Sequence, residues 1–184
     1  MASVRLSQSE LHKLFLQDVG VYAEDIENYG RKPLNFRLKY PFNRDLKVYI
    51  FNCTAPPGGR SIDEFKVQLI LDGQKRGDRG QFDTSDGRTT LIVGYATPFV
   101  DLGGGLWVLF ELDKHMEFAY SANIQVYLRQ LLPALEKNVY VCQKHNQEIL
   151  VISQRQYLLE ALKERFAIDL RVMLEKAEHG IKGI

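Results

Sequence analysis

The chain has 184 residues, 45% of them apolar, which suits one hydrophobic core and argues against disorder. Its 24 Lys and Arg against 23 Asp and Glu leave a net charge of +1, so a polyanion-binding surface has to come from local clustering of cations. Cys53 and Cys142 stand far apart, no apolar run approaches about 18 residues, and the N-terminus lacks the apolar stretch of a signal peptide. A reduced, cytoplasmic protein without membrane contact is expected.

From the N-terminus, Ser7 stands three residues before Glu10 and is followed by Leu11, Leu14, Phe15 and Val19, a capping box opening an amphipathic helix that Gly20 ends. A short helical turn is expected over 22–26, after which Gly30 and Pro33 interrupt the pattern. Alternating or β-branched runs predict strands at 36–40, 46–53, 64–71, 89–95, 106–112 and 123–128, and 138–153 reads as a hairpin turning near His145 and Asn146. Strands this closely spaced, with no long helices between them, predict an antiparallel, barrel-like sheet. Ser153 with Gln156 repeats the capping-box spacing, and Tyr157, Leu158, Leu162 and Phe166 supply the stripe of a C-terminal helix. The expectation is a single α+β domain over 1–184, its β-rich core at about 34–153 and its C-terminal helices at about 154–178.

Three chemistries compete for the polar residues. Glu64 and Lys66 at alternate strand positions, with Asp45 upstream, have the residue types of a Glu-x-Lys nuclease that holds Mg2+. The same alternation describes a solvated strand face, and Gly73, Gly77 and Gly80 follow where such nucleases place a helix. GQKRGDRG is glycine-rich and basic but lacks the order of a phosphate-binding P-loop. His12, His115, His145 and His179 fall into no metal or catalytic motif and read as surface or satisfied core histidines.

Polyanion binding has the broadest support. Arg31, Lys32, Arg37, Lys39, Arg44 and Lys47 are opposed over that stretch by Asp45 alone, which suits phosphate contacts and equally a solvated face. Lys75, Arg76 and Arg79 add cations in a glycine-rich loop, balanced in the local count by Asp72, Asp78 and Asp83. Asn52, Arg60 and Ser61 around PPGGR, and Ser121, Asn123 and Gln125 in YSANIQV, have side chains suited to base edges, although turns favour the same residues. Tyr40, Tyr95, Trp107 and Tyr120 serve either an aromatic pocket for a flipped base or the core.

The ordered stretches PPGGRSIDEFKVQLILDGQKRGDRGQFD, GRTTLIVGYA, LWVLFELDKH and FAYSANIQV, over about residues 50–128, resemble the DNA-recognition domains of bacterial restriction endonucleases. The resemblance implies a pseudobarrel that places loops and strands in the major groove of double-stranded DNA. Targets would be selected by sequence or by base modification, in a phage-defence setting. Cleavage would lie in a separate nuclease domain or subunit, sometimes with a nucleotide-driven motor. Carried onto this sequence, it points to Arg60, Lys66, Gln68, Lys75, Arg76 and Arg79 as binding residues, and further to Ser121 and Asn123. Binding of this kind needs no cofactor. A protein-interaction module using the C-terminal helix, with homodimerisation, is the remaining alternative.

Overall fold

The computed structural model describes residues 5–55, 61–98 and 104–181. Helix α1 (Gln8–Val19) opens on the expected capping box, with the Glu10 amide donating to Ser7 Oγ at 3.3 Å and the Ser7 amide to Glu10 Oε2 at 2.7 Å. Leu11, Phe15 and Val19 line its buried face, and Gly20, at φ +64°, ends it. The expected helical turn over 22–26 is instead a 3-10 turn at Gly20–Tyr22 followed by strand β1 (Ala23–Glu27). Asp25 and Asn28 at φ +51° and +59° take the chain out of the helical region there.

Strands β2 (Leu34–Leu38), β3 (Arg44–Thr54) and β4 (Glu64–Leu69) follow, then a short β5 (Arg79–Gln81), β6 (Thr89–Ala96) and β7 (Leu106–Phe110). After β8 (Glu117–Ala119) and β9 (Ala122–Tyr127), two single-turn helices, α2 (Leu128–Leu131) and α3 (Pro133–Glu136), lead to the hairpin β10 (Val139–Gln143) and β11 (Ile149–Gln154). Helix α4 (Leu158–Ile181) completes the chain after a 3-10 turn at Arg155–Tyr157. Ser153 does not cap it: that residue pairs with Trp107 inside the sheet, and its buried Oγ has no partner among the described residues.

Nine strands form one open mixed sheet in the order β1-β2-β3-β6-β7-β11-β10, with β4 paired to the end of β3 and β9 to β4. The expectation of a wholly antiparallel barrel is corrected on two counts. First, β3 and β6 run parallel from Leu46↔Thr89 to Cys53↔Ala96, because the intervening chain crosses the sheet and returns. Second, β9 and β10 remain separate edges. From the hairpin turn, Lys144 Nζ reaches the Gln125 carbonyl at 3.0 Å, and Leu131 and Ala134 of the short helices join the core at that side.

Strand alternation divides the interior in two. Leu46, Val48 and Ile50 face α1 and α4, meeting Leu11, Phe15, Leu158 and Leu162. Tyr49, Phe51 and Cys53 face the other way, where Phe65, Val67 and Leu69 of β4 with Ile124 and Val126 of β9 cover them. Each such side chain contributes about 2 kcal/mol on burial, so the β4–β9 ribbon is held by its inner face while its outer face stays polar. Among the described residues, no helix is long and apolar enough to cross a membrane.

Candidate nucleic-acid interface

The sequence EFKVQL buries alternate residues, which turns Glu64, Lys66 and Gln68 outward from β4. The antiparallel register sets Tyr127, Gln125 and Asn123 of β9 directly opposite them, in that order. Gln68 Nε2 donates to Ser121 Oγ at 2.5 Å, and Gln125 Nε2 donates to Glu64 Oε1 at 3.2 Å. Sequence candidates from distant segments thus share one ribbon face.

A cleft of about 420 Å³ adjoins this face. Arg5 and Gln8 reach it from the N-terminal segment, Lys32 from the turn before β2, Asn52 and Thr54 from β3, and Lys66 and Gln68 from β4. Asn52 does not present its amide to a ligand: it accepts from the Leu6 amide and donates to the Leu6 carbonyl, both at 2.8 Å. That pair pins the N-terminal segment against β3 and sets Arg5 beside the cleft. Lys32 Nζ donates to the Ile70 carbonyl at 2.6 Å and lies 4.6 Å from the centre of the Phe51 ring. Burial holds the Lys32 ammonium below the usual lysine range. The Lys66 ammonium makes no hydrogen bond or ion pair among the described residues. Among the described residues no carboxylate lines the cleft, although Asp72, outside the lining, accepts from the Lys32 amide at 3.1 Å.

The remaining cations of the basic stretch go elsewhere. Arg37 pairs with Asp45 at 3.2 Å and Glu24 at 3.6 Å, and Arg44 donates to Thr89 Oγ1 while lying over the Phe166 ring. Lys47 is buried between Asp83 at 2.5 Å and Asp86 at 2.8 Å; burial opposes its charge, and the two carboxylates more than restore it. Arg31 is exposed and Lys39 half-buried. The stretch from Arg31 to Lys47 is therefore a set of separate cations, of which Arg37 and Lys47 are paired to carboxylates and Lys32 alone lines the cleft.

Lys75, Arg76 and Arg79 are exposed in the turn after β4, where Gly73 and Gly77 adopt φ +81° and +97°. The Lys75 amide donates to Asp78 at 2.7 Å, and Arg79 stands 3.9 Å from Glu117. Ser61 is exposed and donates to Asp63, and Arg60 lies outside the described residues.

The structure does not assemble the nuclease triad. Asp45 begins β3, while Lys66 pairs with Thr54 at the other end of that strand, roughly 30 Å away, and Asp45 is occupied by Arg37. Among the described residues, no cluster of three or more His, Cys, Asp or Glu is arranged to hold a metal. The four aromatic candidates for a flipping pocket are also dispersed. Tyr95 and Trp107 pack on each other at 4.6 Å in the helix-covered core, whereas Tyr40 is exposed and Tyr120 half-buried.

His12 and His115 are tied into the folded body, and His179 Nδ1 lies 2.7 Å from the Glu175 carbonyl on the C-terminal helix. His12 is fully buried, its Nδ1 accepting from the Gly30 amide at 3.0 Å, and burial pushes its pKa down to about 4. His115 Nε2 lies 2.7 Å from the buried Glu148, which Lys144 also meets at 2.8 Å. Burial works against the Glu148 carboxylate, but these two partners hold its pKa below the usual range.

Sequence reasoning missed Arg5, whose place depends on a contact between Leu6 and Asn52, 46 positions apart. It also missed a second cleft of about 690 Å³ between the β9 and β10 edges, where Arg129 and Lys144 accompany Asn123, Gln125 and Tyr127. Both clefts border the β4–β9 ribbon, one on each side.

Neither the curated proteins nor the solved structures contain a match to this sequence. A family model does match over residues 44–162, from the start of β3 into α4, and takes in the ribbon and all of the second cleft. Its description, Methylase-associated X1, links it to methylases, and the comparisons do not identify the finer expectation of a restriction-endonuclease recognition domain. Because the match spans well over half of its length, the chain belongs to the Methylase-associated X1 family.

Proposed function

We propose that this chain binds double-stranded DNA as the target-recognition module of a methylase-linked restriction–modification system. The observation that carries the reading is the cleft beside β4, which gathers Arg5, Lys32 and Lys66 with no carboxylate in its lining among the described residues. Arg5 and Lys66, which pair with no carboxylate among the described residues, favour a polyanion at this concave surface, and release of its condensed counterions supplies the affinity. The family description, Methylase-associated X1, supports a methylase as the functional partner in this reading. In this reading methyl transfer and cleavage belong to other domains or subunits, and binding needs no metal. Lys75, Arg76 and Arg79 extend the phosphate contacts from the exposed loop after β4.

Fluorescence anisotropy of the full chain on a labelled 20-base-pair duplex tests this. Five phosphate contacts, from Arg5, Lys32, Lys75, Arg76 and Arg79, predict a log–log dependence of affinity on salt with slope about −4.5, and removing two of them brings it to about −2.7. Magnesium and EDTA are expected to give the same binding curve. No duplex binding at low salt would overturn the reading, and magnesium-dependent cutting by the isolated chain would restore the nuclease alternative.

A further inference from the structure

We infer that the β4–β9 ribbon is the element that reads base sequence, entering the major groove with Gln68 and Asn123 as one reading row and Lys66 and Gln125 as the next. This rests on the duplex-binding reading above and adds what that reading leaves open, the source of selectivity.

The ribbon has the required form. Six consecutive residue pairs, Glu64↔Tyr127 to Leu69↔Ala122, make a two-stranded antiparallel element, and β3 engages β4 at only two positions. One face is anchored in the core by Phe65, Val67, Ile124 and Val126, so the outer rows sit on a rigid support. A major groove about 12 Å wide admits such a two-stranded ribbon.

Its outer chemistry suits base edges better than phosphate. Gln68 and Asn123 stand directly opposite each other, and asparagine and glutamine amides pair with the N6 and N7 edge of adenine. The hydrogen bond from Gln68 to Ser121 at 2.5 Å fixes the direction of its amide. Lys66 lies opposite Gln125 one row along, and lysine favours the O6 and N7 acceptors of guanine. Rows two residues apart are separated by about 6.8 Å, close to the rise of two base steps. Glu64, bonded by Gln125, marks the acidic end of the ribbon, where a cytosine amino group is the compatible edge.

The flanks complete the geometry. Arg5 and Lys32 lie in the cleft on the β4 side, and Arg129 in the cleft on the β9 side, so cations stand on both sides of the ribbon as phosphate chains stand on both sides of a major groove. Arg129 lies over the Tyr127 ring at 4.6 Å, and Lys144 bridges Glu148 and the Gln125 carbonyl.

The test is selection of bound duplexes from a randomised library by the full chain and by two variants, Gln68→Ala/Asn123→Ala and the isosteric Gln68→Glu/Asn123→Asp. Melting temperatures within a degree or two of the parent establish that the variants fold. The parent is expected to enrich an adenine-containing motif. The alanine pair should bind that motif about 10-fold more weakly or worse and bind unselected duplexes as before; the acidic pair should abolish adenine preference. The same motif and preference in both variants would overturn the ribbon as reader. Parental binding to every duplex without preference would also overturn it, while leaving duplex binding intact. No parental binding to any duplex would remove both readings.

Discussion

The helix-covered side of this molecule and the β4–β9 side use the same charged residue types in opposite ways. Under α1 and α4, Asp18 accepts from Trp107 Nε1 at 2.7 Å and from Arg155 Nε and Nη2 at 2.9 and 2.8 Å, joining the first helix, β7 and the turn before α4. The fully buried Arg165 likewise donates to the Ile149 carbonyl at 2.8 Å and to Asp169 at 2.5 Å. On the ribbon side, Arg5 and Lys66 border a cleft with no carboxylate in its lining among the described residues. A cation closed by an acid holds the fold together, whereas one left open is available to another molecule. Counting charges along the chain cannot separate the two.

The largest expected effect breaks the closed side. Asp18→Ala leaves a buried indole N–H without an acceptor and Arg155 without its carboxylate, and should cost about 3 kcal/mol of stability by urea denaturation. DNA affinity should remain unchanged wherever the variant is folded. Parental stability in this variant would mean that the closed network carries no load.

On the open side, Arg5→Ala with Lys66→Ala should weaken duplex binding about 30-fold, or about 2 kcal/mol, with an unchanged melting temperature. Arg37→Ala, which removes a cation already paired to Asp45 and Glu24, should change affinity less than about 2-fold. Equal losses in the two variants, measured by anisotropy at one salt concentration, would collapse the distinction between paired and unpaired cations.

Local signals made much of the architecture legible. The Ser7 and Glu10 capping box, the alternation of Glu64, Lys66 and Gln68, and the hairpin arms around His145 each depend on neighbours within a few residues. Strand β1 was hidden because Asp25 takes a left-handed conformation that its sequence does not announce. The parallel pairing of β3 with β6 is decided by the long crossing between Thr54 and Thr89, so closely spaced strands were misleading there. Ser153 with Gln156 has the spacing of a cap, but the buried pairing of Ser153 with Trp107 prevails over it. At the candidate site, period two was enough to place Lys66 and Gln68 on one face. Partners remote in sequence removed Arg37 and Lys47 from the surface set and redirected Asn52 to the main chain of Leu6.

Protonation sharpens the comparison from within the N-terminal helix, which follows the segment that sets Arg5 beside the cleft. His12 has an ordinary pKa near 6.5 when unfolded and about 4 when folded, so the unfolded chain takes up its proton first as pH falls. Stability should therefore be constant above about pH 7 and decline by about 2 kcal/mol between pH 6.5 and 5, before the carboxylates contribute. His12→Asn should flatten that window in urea titrations at successive pH values. An undiminished slope would assign the proton uptake to another group.

The smallest effect distinguishes the sealed interior of the ribbon side from its open edge. Cys53 points into the core under β4, and burial pushes its thiol up to about 12, so almost no thiolate exists at pH 8. Cys142 lines the cleft between the β9 and β10 edges and is half-buried; burial raises its pKa too, but a reagent can reach it from the cleft. Iodoacetamide at pH 8 should modify one thiol slowly in the folded chain, with peptide mapping placing it at Cys142, and both after denaturation. Equal rates at the two thiols would show that the ribbon lifts from the sheet. Its reading face would then be mobile, and the rigid support that makes Lys66, Gln68, Asn123 and Gln125 a recognition surface would be lost.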